Sequence, residues 1–334
     1  MIKKNNLVEK FIELVEIDSL SLKEREMADK LKVELKSIGF DVREDAAGEN
    51  IDGNAGNLIA ELKGDDNLPV IMLSAHMDRV EPGEGIKAEI KEGYIYSKGE
   101  TVLAGDDIIG VVSILEAVKE LKRNEDSHPT IMIVFSVAEE IGLLGAQNLD
   151  DNVIKKADYG FVIDVDGPVG KIVNKAPGQK RFNVVINGKS AHAGMEPENG
   201  VNAIKIASHA ISNMNLGRLD EETTANIGVI RGGKASNIVP DLVELEGEVR
   251  SHNQDKLESQ VKDMKDSVLK YTEKLNGSAE FDIEQTYHNY NVDESKEIIR
   301  ITKNAAEKTG VKFELGSSGG GSDANVYNRK GLST

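Results

Sequence analysis

Four short clusters of acidic and imidazole side chains lie just past predicted strand ends in the first half of the chain. The clusters contain His76 and Asp78, Asp106 and Asp107, Glu139 and Glu140, and Asp164. In an open α/β sheet, the carboxyl ends of the strands are where ligands bind. One imidazole and six carboxylates would then share one site, and so much negative charge requires cations or proton uptake.

The donor types indicate which cations would fit. Oxygen-rich ligand sets that include one imidazole suit Zn²⁺, Mn²⁺ or Co²⁺. A carboxylate that bridges two metals, with another left over as a base, is the arrangement used in two-metal hydrolysis. Each cluster alone has a structural interpretation, since an Asp pair caps a helix start and a Glu pair is often solvated. Their recurrence at successive strand ends favours a metal site.

Composition narrows the class of protein. The 334 residues include 58 acidic and 41 basic side chains, for a net charge of −17, and no cysteine. The lack of cysteine excludes disulfides, Cys-ligated zinc and a thiol nucleophile. The acidic excess argues against nucleic acid and anionic membranes as partners. Glu9, Glu13 and Glu16 interrupt the apolar N-terminal run, so we expect no signal peptide and a cytoplasmic protein.

The elements that position the clusters alternate between strands and helices. Apolar runs predict strands over Asn57–Leu62, Val70–Ala75, Thr130–Val137 and Tyr159–Ile163. Ser21 with Glu24 resembles a capping box that opens a helix, and a second helix is predicted to start at Asp106. This alternation predicts an α/β fold with a largely parallel sheet.

The pattern changes after about residue 178. Strands and helices then follow the order β-α-β-β-α-β, which is the split, ferredoxin-like arrangement. A helix over Glu294–Lys308 and a strand over Val311–Leu315 resume the first pattern. We therefore predict a catalytic metal-binding domain from residues 1–178 and 286–334, with a lid or dimerisation domain inserted at 179–285.

Six motifs, taken together, resemble those of a known family. They are SAHMD (74–78), AGDD (104–107), AEEIG (138–142), ID (163–164), GKSAHAG (188–194) and GGGSDAN (319–325). The set is similar to the peptidase T-like branch of the co-catalytic zinc aminoacylase/carboxypeptidase family, in the same order and over nearly the whole chain. This resemblance implies a zinc-exopeptidase-like sheet with helices on both faces, an inserted ferredoxin-like α+β lid domain, and a homodimer formed through that lid.

The resemblance also implies roles for the acidic clusters. The implied ligands of two Zn²⁺ ions, with Mn²⁺ or Co²⁺ as alternatives, are His76, Asp106, Glu140 and Asp164. Asp106 would bridge the metals, although the double Asp leaves Asp107 open for that role. Glu139 would be the general base. Asp78 would orient His76 and raise its basicity.

Residues that the resemblance assigns to substrate lie mostly in the inserted domain. His192 would stabilise the oxyanion, sometimes from the other subunit. Asn237 and Arg250 would grip polar ends of the substrate, and Gly320 and Ser322 would clamp its backbone. Three alternatives remain open: a lid-surface role for His192, an ion pair of Arg250 with Glu246 or Glu248, and a flexible linker for the Gly-rich loop.

One departure from the family concerns the end of the chain. The family supplies a final histidine ligand after a further strand, but the last histidine here is His288, which precedes the Gly-rich loop. The final ligand is therefore absent from this chain, and we expect a truncated member of the family.

The expected activity is hydrolysis of an amide bond in a short peptide, as in a tripeptide aminopeptidase, by a metal-activated water with a Glu general base. An N-acyl amino acid deacylase remains an alternative, because the motifs specify amide hydrolysis and not the side chain. A second alternative is a truncated, non-catalytic fold that only binds or dimerises.

Overall fold

The protein is described from a computed structural model that covers residues 4–124 and 127–334. The chain divides into two compact units. Unit 1 contains the described residues up to Asn174 together with Val292–Gly316 and Ser322–Thr334, and unit 2 contains Lys175–Asn291 and Ser317–Gly321. The Gly-rich loop is therefore shared between the units, since Gly320 belongs to unit 2 and Ser322 to unit 1.

The helices are numbered in chain order. They are α1 (Lys4–Val15), α2 (Arg25–Ile38), α3 (Ala47–Asn50), α4 (Gly105–Arg123), α5 (Leu144–Asn148), α6 (Asp151–Ile154), α7 (Ala203–Ser212), α8 (Gln254–Lys274), α9 (Glu297–Thr309) and α10 (Asp323–Arg329). None of the described helices is both long enough and apolar enough to cross a membrane.

The strands are numbered in the same way. They are β1 (Asp41–Glu44), β2 (Leu58–Leu62), β3 (Ile71–His76), β4 (Ala88–Lys91), β5 (Tyr94–Ser97), β6 (Ile131–Ser136), β7 (Tyr159–Val162), β8 (Lys171–Ala176), β9 (Gly178–Asn187), β10 (Gly217–Arg218), β11 (Thr223–Gly232), β12 (Leu242–Ser251), β13 (Ser278–Tyr287), β14 (Tyr290–Asn291) and β15 (Glu314–Ser317). The chain passes between the two units four times, within β8, at the end of β14, within β15 and between Gly321 and Ser322.

Unit 1 is built on a five-stranded sheet in the order β1-β2-β6-β3-β7. The β3–β6 and β3–β7 pairs are parallel, whereas β1–β2 and β2–β6 are antiparallel. The sheet is thus mixed rather than largely parallel. Strands β1 and β2 are joined by residues 45–57, which contain the one-turn helix α3, and they run antiparallel to each other.

The strand at the centre of this sheet is apolar along most of its length because it is buried on both faces. Every residue of β6 is buried, because the strand lies between β2 and β3 and is covered on both faces. Helix α4 contributes Ile108, Val111 and Leu115 to the same core. The positions of the ends of β3, β6 and β7 are therefore set by the packed sheet. Three of the four acidic and imidazole clusters of the predicted metal site lie at or just after these strand ends.

Unit 2 is an antiparallel sheet in the order β10-β11-β12-β9-β13, with α7 and α8 packed together beside it. The sequence order β9-α7-β11-β12-α8-β13 is the predicted β-α-β-β-α-β order. Phe182, Val184 and Ile186 alternate along β9 into the core of this unit, as expected for a sheet with one covered face.

The capping box predicted at Ser21 and Glu24 is wrong. Helix α2 begins only at Arg25, and its N-cap residue Glu24 makes no side-chain capping bond. Both side chains are instead engaged in contacts distant in sequence, with Asp78 and with the backbone of Ala138. A local motif was overridden by tertiary hydrogen bonds.

Candidate metal and catalytic site

His76 is the last residue of β3 and is buried. Its Nε2 lies 3.0 Å from Oδ1 of Asp106. Its Nδ1 lies 3.1 Å from the backbone oxygen of Asp78 and 3.4 Å from that residue's Oδ1. Both ring nitrogens therefore face oxygen atoms, an arrangement that fixes the ring orientation.

The two adjacent aspartates occupy the start of α4, where their backbone angles are not helical and their shared peptide bond is cis. Asp107 is buried and accepts hydrogen bonds from the backbone N–H of His76 (3.3 Å) and of Gly110 (3.1 Å). A Cβ on Gly110 would lie 2.3 Å from the Ile163 oxygen and 2.4 Å from Oδ1 of Asp107. The glycine thus permits the close approach of α4 that places Asp107.

Glu139 and Glu140 form the turn that follows β6. Their backbone N–H groups donate to Oδ1 and Oδ2 of Asp78, at 2.9 and 3.2 Å. Asp78 therefore contacts both His76 and the Glu139–Glu140 turn. The sequence suggested only the first of these roles, because the second depends on β3 and β6 being neighbours.

Asp164 follows β7 and completes the set of potential metal ligands. One group of ligand atoms comes from His76, Asp106 and Glu140, and another from His76, Asp107 and Asp164. Within each group the atoms lie within 4.8 Å of one another. One imidazole and four carboxylates match the donor chemistry that suits Zn²⁺, Mn²⁺ or Co²⁺, so the residues present fit a metal site. The two groups share His76 and include both Asp106 and Asp107.

Burial and like charge change the protonation of these carboxyls. Burial raises the pKa of Glu139 to about 10, and the charge of Asp323 adds to this effect while His76 opposes it. Burial likewise raises the pKa of Glu140 to about 7 and that of Asp164 to about 6. The carboxyls become fully ionised near neutral pH only if positive charge is supplied to them.

We expect metal-free protein to lose stability as the pH rises. Carboxyls whose pKa is raised by folding retain protons that the unfolded chain releases, so the free energy of unfolding falls from about pH 4, where the unfolded carboxyls ionise, up to the raised pKa of Glu139 at about 10. The pKa of His76 is raised as well, because its bonds with Asp106 and Asp78 outweigh burial, and this acts in the same direction. The melting temperature of the chelator-treated protein should fall by several degrees over this pH range. At each pH the metal-loaded protein should melt at a higher temperature than the chelator-treated protein. Identical pH profiles with and without metal would contradict this.

Asp323 is a buried residue near the site for which no role was predicted, although it belongs to the GGGSDAN motif. It accepts a hydrogen bond from the Ser136 hydroxyl at the end of β6. Burial raises its pKa to about 7, and the charges of Asp164 and Asp78 contribute. Its burial and its bond to a strand end could not be read from the motif.

Two of the residues predicted to bind substrate lie in exposed positions of unit 2. Nδ1 of His192 accepts hydrogen bonds from the backbone N–H of Gly194 and Met195, both at 3.1 Å. A neutral ring must then carry its proton on Nε2, which is left as a donor. The exposed Asn237 accepts a backbone hydrogen bond from Ala193, which ties it to the segment next to His192.

Arg250 is paired within its own strand. Its Nε and Nη2 donate to the two carboxylate oxygens of Glu248, at 2.9 and 3.0 Å. This is one of the two pairings left open by the sequence. A Cβ at Gly320 would lie 3.7 Å from the remaining Nη1 of Arg250, so the Gly-rich loop runs close to that group.

Ser322, in unit 1, caps helix α10. Its hydroxyl accepts from the backbone N–H of Ala324 at 3.3 Å, and its own N–H donates to Oδ1 of Asn325 at 3.0 Å, completing a capping box. The side chain therefore has a structural role, whether or not its backbone also contacts a ligand.

Two family descriptions match parts of the chain. Residues 174–275 match a peptidase dimerisation domain, the M20 type, and residues 57–213 match peptidase family M28. The first match covers most of unit 2.

Individual relatives cover nearly all of the chain. An uncharacterized protein of Bacillus subtilis, YqjE, is 44% identical over all of this chain and 90% of its own length. The crystal structure of aminopeptidase PepT from Bacillus cereus superimposes with a TM-score of 0.89 at 43% identity, covering 99% of this chain and 89% of that one. A tripeptidase from Staphylococcus aureus gives 0.94 at 39% identity, with the same coverage.

Proposed function

Because the chain belongs to the peptidase T-like branch of the M20 metallopeptidases, and is therefore a metal-dependent peptidase, we propose that it removes the N-terminal residue from tripeptides. The observation that carries the proposal is the pair of ligand groups that share His76 beside the buried Glu139. A base next to two potential metal positions is the arrangement that two-metal hydrolysis of an amide uses.

The metal ions we propose are two Zn²⁺ per chain, with Mn²⁺ or Co²⁺ as alternatives. His76, Asp106, Glu140 and Asp164 would hold them, with Asp106 as the bridging carboxylate. When bound, such ions polarise the scissile carbonyl and lower the pKa of a water molecule. Asp78 would fix the His76 ring through the contacts at Nδ1, which determine which ring nitrogen is free to act as a ligand.

Glu139 is the proposed general base. Its carboxylate takes a proton from the attacking water and later donates that proton to the leaving amine. Because burial raises the pKa of Glu139, its carboxyl can accept a proton at neutral pH only when positive charge nearby keeps it ionised. Its backbone is held by the bond to Asp78, so the carboxyl group starts from a fixed position.

We assign the substrate-contacting roles to residues of unit 2 and the Gly-rich loop. His192 would donate from Nε2 to the developing oxyanion. Arg250 and Asn237 would bind polar ends of the peptide, and Gly320 and Ser322 would bind its backbone. A substrate carboxylate at Arg250 would have to use Nη1 or displace Glu248, because the other side of the guanidinium is already occupied.

A homodimer formed through unit 2 is the partner state we propose. The match to the peptidase dimerisation domain supports it. Within the described residues, β11 beyond Ala225 has β12 as its one strand neighbour, which leaves an edge free. Ile230 on that edge and Ile204 on α7 are 54% and 40% exposed. Sedimentation at micromolar concentration provides the test, and a monomer would remove this part of the proposal.

The activity can be tested with a matched set of small substrates. A free tripeptide, the same tripeptide with a blocked amine, the corresponding dipeptide and an N-acetyl amino acid should be compared after loading with Zn²⁺, Mn²⁺ or Co²⁺. We expect release of the N-terminal residue from the free tripeptide and little turnover of the blocked one. Preference for the N-acetyl amino acid would instead identify a deacylase. Turnover of none of these substrates with any of the metals would refute the proposed activity.

A further inference from the structure

The connection between α1 and α2 contacts both turns that carry the catalytic clusters. The Ser19 hydroxyl donates to the backbone oxygen of Met77 at 2.6 Å. The Ser21 hydroxyl donates to Oδ2 of Asp78 at 2.6 Å. Oε1 of Glu24 accepts from the backbone N–H of Ala138 at 3.0 Å. A six-residue segment thus joins the turn after β3 to the turn after β6.

Glu24 is an unusual residue to find at this position. It is fully buried, and its Oε2 has no hydrogen-bond partner among the described residues. A buried carboxyl destabilises a fold unless it is compensated, and the partners of Oε1 are two backbone N–H groups, of Leu22 and Ala138. The cost of burying Glu24 is offset by the hydrogen bond that Oε1 accepts from the backbone of Ala138.

What Oε1 holds is the residue that precedes the proposed base. Ala138 has a φ of +51°, in the left-handed region that side chains other than glycine seldom adopt. Such a conformation persists only if surrounding contacts enforce it. The Glu24 bond to its N–H is one such contact, and the next two N–H groups, of Glu139 and Glu140, bond to Asp78.

Ser21 acts on the same turn through Asp78. The Oδ2 atom that accepts its hydroxyl also accepts the N–H of Glu140. With Oδ1 directed at Glu139 N–H and close to His76, the rotation of the Asp78 carboxylate is set by several partners at once. The hydroxyl of Ser21 is the side-chain donor to Oδ2 of Asp78. It therefore restricts rotation of the Asp78 carboxylate at the Oδ2 atom.

We propose that Ser21 and Glu24 are positioning residues that hold the Asp78 carboxylate and the Ala138–Glu140 turn in register. Neither residue touches a reacting atom. Their effect is on where the Glu139 carboxyl and the Glu140 ligand oxygen lie relative to His76. The inference rests on the proposed function where it is tested by kcat. The positions of the ligand atoms can also be tested without catalysis, by measuring metal affinity.

The test compares removal of each hydrogen-bonding group with conservative replacement. Ser21→Ala and Glu24→Ala remove the group, whereas Ser21→Thr keeps a hydroxyl and Glu24→Gln keeps an acceptor oxygen. Ser37→Ala is a matched control, because this exposed hydroxyl bonds only to a helix carbonyl, that of Glu34, in the same unit. For each variant, kcat and KM on a tripeptide, the Zn²⁺ dissociation constant in a chelator competition, and the melting temperature without metal should be measured.

We expect Ser21→Ala to lower kcat and weaken Zn²⁺ binding by roughly 10- to 100-fold, the usual effect of losing a group that orients a ligand. KM and the melting temperature should change little, and Ser21→Thr should recover most of the loss. Glu24→Gln should likewise retain most of the kcat that Glu24→Ala loses. If Glu24→Ala does not fold, the Ser21 pair and Glu24→Gln still decide the matter.

Two results would overturn the inference. One is Ser21→Ala with the kcat and Zn²⁺ affinity of the unchanged protein. The other is a loss in Ser21→Ala that Ser21→Thr does not restore. Failure of the proposed function would give a different result. The unchanged protein would then hydrolyse no tripeptide, but the Zn²⁺ affinities of the variants would still differ from one another.

Discussion

Glu139→Gln is expected to lower tripeptide turnover by about 10²- to 10⁴-fold, the range that a general base contributes. The amide has the size of the carboxyl group but cannot accept the proton of the attacking water. Glu139 belongs to neither of the two ligand groups around His76, so the variant should bind metal like the unchanged protein. The measurements are kcat on a free tripeptide and the metal content after dialysis.

Glu140→Gln is the matched control for this experiment. It makes the same chemical change one residue later, at a position within a ligand group. It should lose metal together with activity. If Glu139→Gln lost its metal, or if Glu140→Gln kept metal and activity, the assignment of base and ligand would be wrong.

Asp106→Ala is expected to abolish both metal binding and turnover. Oδ1 of Asp106 lies 3.0 Å from Nε2 of His76, and Asp106 shares a ligand group with Glu140. A carboxylate that bridges two cations supports both, so its removal should release both. The Asp106 side chain is 70% exposed, so the truncation leaves no buried cavity and the protein should remain folded.

Asp107→Asn tests which of the two adjacent aspartates is the bridging carboxylate. Asp107 accepts from the N–H groups of His76 and Gly110, and an Asn side chain can keep one of these bonds with its single oxygen. Asp107 lies in the second candidate group but is not one of the four proposed ligands, so we expect this variant to retain two metal ions, measured by elemental analysis of the dialysed protein. If instead Asp106→Ala kept both ions and Asp107→Asn lost them, the bridging carboxylate would be Asp107.

The parts of the fold that could be predicted are those governed by local pattern. The buried run of β6 identified a central strand, because a strand covered on both faces is apolar at every position. The α/β fold class is confirmed by the structure and its neighbours, and the strand–helix order of unit 2 is confirmed by the structure. The positions of His76 and Asp164 followed from strands whose ends are visible in the sequence.

The parts that could not be predicted depend on contacts between distant residues. Ser21 and Glu24 fit a capping box, yet their partners lie 57 and 114 residues away. The antiparallel pairing of β1 with β2 depends on which strands become neighbours in the sheet, and the apolar pattern does not reveal that. For Arg250, both acidic neighbours on its strand were plausible partners, and only the side-chain geometry selected Glu248.

The most direct test of the account is a titration of metal-free protein with Zn²⁺, in which bound metal and the rate of tripeptide hydrolysis are followed in the same sample. We expect no turnover without metal and a rate that reaches its maximum as two equivalents bind. Full turnover by thoroughly chelated protein, or two bound equivalents without hydrolysis of any free tripeptide, would contradict it.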